Sequence, residues 1–421
     1  MEKTQQMICD DHWTNVNIDV ATRILKTCCK RNKPVITLDE LRSRGAMVFI
    51  DHELNQQDRN IFIDKNQIPD NCYICKDSWP NSIWHRYNAW QNRTWAPGEL
   101  ESMRTADVIN KFEIKISNIC NQTCMYCNSG SSSEWGALLG QQYDDGTEWR
   151  DALLDAICQY ICMHKATRTE GITYNMLGGE PLLFTGIYDF LDRIIYAHSC
   201  DEIRTAPCTL MMTSNLNVKP MLVKRWLDSV DRTNGWNHVL KVSWDSRGER
   251  GALIRDGADW ELVEQNLDMV LANPKVSVEI LPTVNLLSIP DFADLITHIR
   301  SIITKHGVHD DYGDRWWFGV NMVVRPTAMN PALMLPQHST HIDACLRATD
   351  GIPDQGNLRL FRKHIETLHS MIGTRNSHKD HAQMIKWYEA QGAIKRRDYF
   401  DIFPVLAEIK AHHTQSELAA R

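Results

Sequence analysis

No stretch of 18 or more consecutive apolar residues occurs in this 421-residue chain, so no segment reads as a membrane-spanning helix. The opening Met-Glu-Lys-Thr-Gln-Gln has no apolar signal core, and the expected location is the cytoplasm. Positive charge is not in excess: 46 Lys and Arg stand against 53 Asp and Glu, a formal net charge of −7. That balance gives no general attraction to nucleic acid or an anionic membrane, although a local basic groove remains compatible with it. Internal repeats and low-complexity tracts are missing as well. The remaining composition, 43% hydrophobic and 24% charged, is that of a globular protein long enough for one large core and a second unit.

Cysteine, in contrast, is plentiful. The chain has 13, and in the expected reducing cytoplasm they do not read as a disulfide framework. Three of them, Cys120, Cys124 and Cys127, share the run Ile119-Cys-Asn-Gln-Thr-Cys-Met-Tyr-Cys-Asn128. This C-x3-C-x2-C spacing fits neither a four-cysteine electron carrier nor a structural zinc site built from paired C-x2-C corners. Three thiolates on one short loop can hold three irons of a 4Fe–4S cube and leave the fourth open to a ligand. Cys9, Cys28, Cys29, Cys72 and Cys75 form two further groups, and Cys158, Cys162, Cys200, Cys208 and Cys345 are scattered, as expected of buried apolar thiols.

From residue 111 to 326, strand and helix patterns alternate. Strands are expected at 111–117, 171–177, 208–213, 239–244, 276–281 and 316–324, with helices at 149–165, 187–197, 221–230, 260–271 and 289–305. Six β/α units in series predict an α/β fold, a partial (β/α)6 TIM-like barrel with its site at the strand C-termini. Residues 1–108 show little helical period and read as a cysteine-rich extension with one short strand at 15–21. Pro326, Pro331 and Pro336 mark the start of a mostly helical C-terminal region, with helices at 357–372, 381–390 and 403–412. The expected division is therefore 1–108, 109–326 and 327–421.

Polar and glycine-rich segments fall at the expected strand ends. Gly178-Gly179-Glu180-Pro181 follows the second strand, and a glycine pair lets backbone approach a ligand closely. Ser214 and Asn215 end the third strand, Ser243 and Asp245 the fourth, and Asn285 follows the fifth. Arg255 offers a planar fork suited to a carboxylate. Asp245 is free in this reading to face a substrate.

The cysteine loop, the GGEP run and the polar strand ends together resemble the radical S-adenosylmethionine (radical SAM) enzymes. The resemblance implies a 4Fe–4S cluster on Cys120, Cys124 and Cys127. Its open iron chelates S-adenosylmethionine, and one electron cleaves the sulfonium to a 5′-deoxyadenosyl radical that abstracts hydrogen from a substrate. It further implies that Tyr126, Gly178, Gly179, Glu180, Ser214, Asn215, Ser243, Arg255 and Asn285 position S-adenosylmethionine, with Glu180 at the methionine ammonium and Arg255 at its carboxylate. A flavodoxin- or ferredoxin-like protein would be the electron donor.

The cysteines at positions 9, 28 or 29, 72 and 75 resemble the auxiliary-cluster (SPASM or twitch) module, placed here before the barrel, as in a group of phage-associated or uncharacterised twitch-type members. The run Arg396-Arg397-Asp398 to Pro404 resembles that group too. The glycine usual a few residues before the paired cysteines is missing in Asp19 to Cys28. An auxiliary 4Fe–4S cluster is the expectation, with zinc on the same thiolates as the alternative. Relatives act on peptides or small molecules. No leader-gripping helix–strand hairpin is visible in 1–108, which favours a small molecule or a protein held by the C-terminal helices. The rival reading is a non-catalytic iron–sulfur or zinc scaffold or sensor, which needs the cysteines but not the GGEP run or Arg255.

Overall fold

A computed structural model describes residues 4–5, 9, 11–28, 36–72, 94–95, 98–104, 109–141, 146–163, 171–199, 208–306, 315–323, 325–350 and 356–420. Its centre is an eight-stranded sheet. In chain order the strands are β1 (Asn15–Asp19), β2 (Ile24–Lys26), β3 (Lys111–Lys115), β4 (Thr173–Leu177), β5 (Thr209–Ser214), β6 (Asn237–Val242), β7 (Val276–Ile280) and β8 (Trp316–Phe318). Their spatial order is β8-β7-β6-β5-β4-β3-β1-β2. The expected series of β/α units is present, and β1 adds to its start, pairing parallel with β3, while β2 folds back antiparallel on β1. The cysteine-rich extension therefore supplies two strands to the main sheet.

The chain divides into two compact units. The first holds residues 1–120, 140–213 and 228–238, and the second 121–139, 214–227 and 239–421.

In the first unit, strand register sorts side chains by polarity. Val16, Phe112, Tyr174 and Leu210 align across β1, β3, β4 and β5, as do Ile18, Ile114, Met176 and Met212. All eight are buried. Phe112 meets Tyr160 of α5 (Thr147–Met163) edge-on with ring centres 5.7 Å apart, and Tyr174 OH lies 2.9 Å from His198 Nε2 of α6 (Gly186–Ser199), part of the burial that drives this layer together. The opposite face is polar: Asn15, Asn17 and Asn175 all donate to the Glu113 carboxylate. Burial alone would raise the Glu113 pKa, but Lys111 and the amides of Asn15 and Asn17 outweigh it and hold it below its ordinary value.

The extension is more helical than its sequence period indicates. Short α1 (Asp11–Thr14) is followed by α2 (Leu38–Arg44), α3 (Met47–Ile50) and α4 (Glu53–Lys65). In α4 the buried positions Asn55, Asp58, Arg59 and Phe62 have helical spacing, yet three of the four are polar, so no apolar stripe marks the helix.

Helix α7 (Pro220–Asp231) precedes β6, and in the second unit α8 (Trp260–Leu271) and α9 (Phe292–Lys305) flank β7 in the chain. Val276, Val278 and Ile280 are fully buried on one side of β7. The expected strand 316–324 is split. It halts at Gly319, where an added Cβ would lie 2.2 Å from Glu279 Oε1. The chain resumes at Asn321–Met322, parallel to Thr283–Val284. The C-terminal helices are α10 (Ser339–Ala348), α11 (Gly356–Met371), α12 (His378–Lys395) and α13 (Pro404–Ala420). Phe361 of α11 stacks on Phe318 of β8 with ring centroids 5.0 Å apart. Among the described residues no helix is long and apolar enough to cross a membrane.

The scattered cysteines are not uniformly buried. Cys208 and Cys345 are, and burial pushes the Cys345 thiol up to about 12. Cys158 is half-buried and Cys162, in the last turn of α5, is exposed. Cys200 lies outside the described residues.

Candidate functional site

The cysteine run begins in the first unit, where β3 leads into Ser117-Asn118-Ile119-Cys120. The GGEP turn after β4 packs directly on this segment. Gly178 has φ +86° and Gly179 φ +47°, left-handed values that favour glycine. An added Cβ on Gly179 would sit 2.1 Å from Ile119 O, and one on Gly178 2.8 Å from Ser117 O. Glu180 N–H then donates to Ile119 O at 2.7 Å. The glycines are thus needed for the turn to reach the backbone just before Cys120. Glu180 is fully buried, and its Oε1 accepts from Leu182 N–H at 3.1 Å, capping the short helical turn 181–183.

The rest of the run lies in the second unit. Thr123 N–H donates to Asp256 O and Met125 N–H to Ile254 O, both at 2.9 Å, so 123–125 is laced to 254–256. The middle residue of each segment, Cys124 and Arg255, then faces the other: Arg255 Nη1 lies 3.9 Å from Cys124 Sγ. Cys127 N–H donates to Cys124 O at 3.0 Å and closes the turn. Trp135 Nε1 donates to Cys124 O at 2.9 Å, and Ser132 both caps the Trp135 helix and donates to Gln122 O at 2.6 Å. Cys124 is buried, while Cys127, like Cys120 in the first unit, is half-buried.

Arg255 is not a surface arginine. Its side chain is 7% exposed, with Nε 3.0 Å from Asp245 Oδ2 and Nη2 3.2 Å from Oδ1. The Asp245 carboxylate also accepts from Tyr126 OH at 2.5 Å and from Thr283 N–H at 2.6 Å. The guanidinium carbon stands 5.6 Å from the Tyr126 ring centre. Burial works against the charge on Arg255, but Asp245 outweighs it and holds the guanidinium protonated above its ordinary pKa. Burial pushes the Tyr126 phenol well above its ordinary pKa, so the hydroxyl keeps the proton that it donates. Asp245 is therefore occupied by three partners in this unit.

A second ring of residues braces the loop from the C-terminal region. Lys395, at the end of α12, donates to Thr123 Oγ1 and, at 2.9 Å, to Asp256 Oδ2, and its ammonium lies 4.4 Å from the Trp135 ring centre. Arg397 Nη1 reaches Asp256 Oδ1 at 3.1 Å. Burial raises the Asp256 carboxyl, but Lys395 and Arg397 overcome this and hold it below its ordinary value. Asp256, Lys395 and Trp135 carry no sequence signal: the partners are up to 272 positions apart.

The other sequence-marked residues line strand ends and turns. Ser243 N–H donates to Ser214 O at 2.9 Å, which sets those two residues side by side. Asn215 Nδ2 donates to Asn121 Oδ1, within the cysteine run, at 3.1 Å. Asn285 is fully buried in a separate turn, accepting from Leu287 and Ser288 N–H and donating to Thr283 O.

Of the N-terminal cysteines, Cys72 is buried with its sulfur 3.3 Å from His12 Nε2. Cys9 packs on an apolar cluster of Trp13 and Phe62, and Cys28 follows β2. Cys29 and Cys75 lie outside the described residues.

No protein-family model matches the chain, and no curated protein is similar to it. Solved structures do match in part. One, "Native anSMEcpe with bound AdoMet", aligns at 16% identity and a TM-score of 0.36 over 56% of this chain and 59% of that one. A second, with bound AdoMet and the Cp18Cys peptide, aligns at 15% identity and a TM-score of 0.35 over 56% and 58% of the respective chains. The chain thus spans less than two thirds of either structure.

Proposed function

We propose that the protein is a radical SAM enzyme whose 4Fe–4S cluster is held by Cys120, Cys124 and Cys127. The observation that carries the reading is the buried guanidinium of Arg255, clamped by Asp245 and aimed at the Cys124 sulfur. A cation fixed against a cysteine suits a thiolate that ligates metal. The donor set also fits: three thiols on one short run match a cube that keeps one iron open. When bound, the cluster would supply the electron that cleaves S-adenosylmethionine and so starts hydrogen abstraction from the substrate.

The chain's own part is to orient and to exclude water. Arg255, Asp245 and Tyr126 hold the Cys124 segment, and Trp135, with Lys395 over its ring, holds it through Cys124 O. Gly178 and Gly179 let the turn approach Ile119, with Glu180 fixed behind them. Ser214, Asn215, Ser243 and Asn285, with the backbone of Tyr126, are assigned to S-adenosylmethionine. Arg255 is assigned to the loop rather than to the methionine carboxylate, because Asp245 already occupies its fork. The cysteine-rich extension, 1–108, is assigned as a twitch-like metal-binding region preceding the barrel, 109–326, and the helical region, 327–421. The substrate is a small molecule or a peptide, the electron donor is flavodoxin- or ferredoxin-like, and the setting is the cytoplasm.

The test is anaerobic incubation of the reconstituted protein with S-adenosylmethionine and dithionite. The expected product is 5′-deoxyadenosine, absent with Cys124→Ala. No product from protein with its cluster intact would refute the enzyme reading in favour of a scaffold or sensor.

A further inference from the structure

We propose that His12, Asp58 and Cys72 form a mononuclear site for a zinc-type divalent ion. Three metal-binding donors of different kinds come together from α1, α4 and the turn 70–72, with one donor atom from each mutually within 4.8 Å. Their exposures are 1%, 2% and 7%. Trp13 and Phe62 pack beside them with Ile63 and Ile68, and the Phe62 ring centre lies 5.0 Å from that of His12.

Charge and distance both fit an ion. A carboxylate and a thiolate buried together in such surroundings are costly unless compensated. A divalent cation offsets both negative charges, with neutral imidazole as the third donor and the thiol proton released on binding. In a tetrahedral zinc site with Zn–N ~2.0 Å and Zn–S ~2.3 Å, the nitrogen and sulfur stand about 3.5 Å apart. Here His12 Nε2 and Cys72 Sγ are 3.3 Å apart.

The supporting contacts are those that metal ligands need. His12 Nδ1, the nitrogen turned away from Cys72, lies 3.5 Å from Thr27 Oγ1. His12 O accepts from Arg59 Nε at 2.8 Å, and Asp58 Oδ1 accepts from Asn71 Nδ2 at 3.3 Å. One nitrogen, one oxygen and one sulfur suit borderline zinc, whereas iron–sulfur cubes are held by thiolates. A fourth donor completes the tetrahedron.

The inference does not depend on the chemistry proposed for the cysteine loop, and its test reads metal rather than activity. Full-length protein, purified anaerobically, is assayed for zinc, iron and sulfide, then stripped and titrated with zinc(II) or cobalt(II). The expected results are about one zinc per chain and a thiolate-to-cobalt charge-transfer band that Cys72→Ser abolishes. His12→Gln and Asp58→Asn should each weaken zinc at least tenfold in competition with a chelator. X-ray absorption at the zinc edge of the wild type serves if a variant misfolds, and should show sulfur together with nitrogen and oxygen neighbours. An all-sulfur shell, wild-type zinc affinity in both conservative variants, no zinc or cobalt band in the wild type, or loss of iron and sulfide with Cys72→Ser would each overturn the proposal.

Discussion

The Asp245–Arg255 pair gives the sharpest prediction. Asp245→Asn preserves volume but leaves one amide oxygen where Tyr126 OH and Thr283 N–H use the two different carboxylate oxygens, so it removes the charge together with one of these hydrogen bonds. At the observed 3.0 Å between Arg255 Nε and Asp245 Oδ2, the attraction is roughly 5 kcal/mol at an effective dielectric constant of about 20. Removing one partner of a buried pair leaves the other uncompensated, which costs about 3–5 kcal/mol. The assay is guanidinium unfolding of the anaerobic protein, followed by tryptophan fluorescence. With a slope of about 6 kcal/mol per M, the midpoint should fall by roughly 0.5–0.8 M. Arg255→Met should cost a similar amount, and the double variant clearly less than the sum, because neither charge is then stranded. A midpoint shift below about 0.1 M for Asp245→Asn, or full additivity in the double variant, would refute the buried, mutually dependent pair.

Gly179→Ala would place a Cβ 2.1 Å from Ile119 O at a positive φ; it should destabilise the fold by about 1–3 kcal/mol and lower bound iron, read by thermal melting and iron assay. The Asp256 pKa lies below its unfolded value near 3.8. Its contribution to stability is therefore complete above that value and is lost as pH falls through the folded pKa. Asp256→Asn should flatten the acid limb of stability against pH below about 4, measured by circular dichroism. Trp135→Phe removes the bond to Cys124 O and should cost about 1 kcal/mol by denaturant unfolding. Cys124→Ala should remove about four iron per chain and leave zinc unchanged, by elemental analysis.

Much of the fold was legible in the chain itself. Period-two alternation in Lys111–Lys115 and Val276–Ile280 marks strands because one face of each is buried. Amphipathic α8 and α9 announce themselves for the corresponding reason at period 3.6. The spacing of Cys120, Cys124 and Cys127 and the glycine pair at 178–179 are local features, and local features survive in a string of letters.

Sequence alone could not show what depends on distant partners. Helix α4 buries Asn55, Asp58 and Arg59, so its stripe has the right spacing and the wrong polarity to be recognised. Strand 316–324 is split at Gly319, which lies against a side chain 40 residues earlier, Glu279. Arg255 looks like a free fork until β6 and the loop at 254–256 bring Asp245 and Cys124 to it. Lys395 meets Thr123 only once α12 is folded. Periodicity and spacing are set by neighbours along the backbone, whereas the state of a buried charge is set by whatever the fold packs against it.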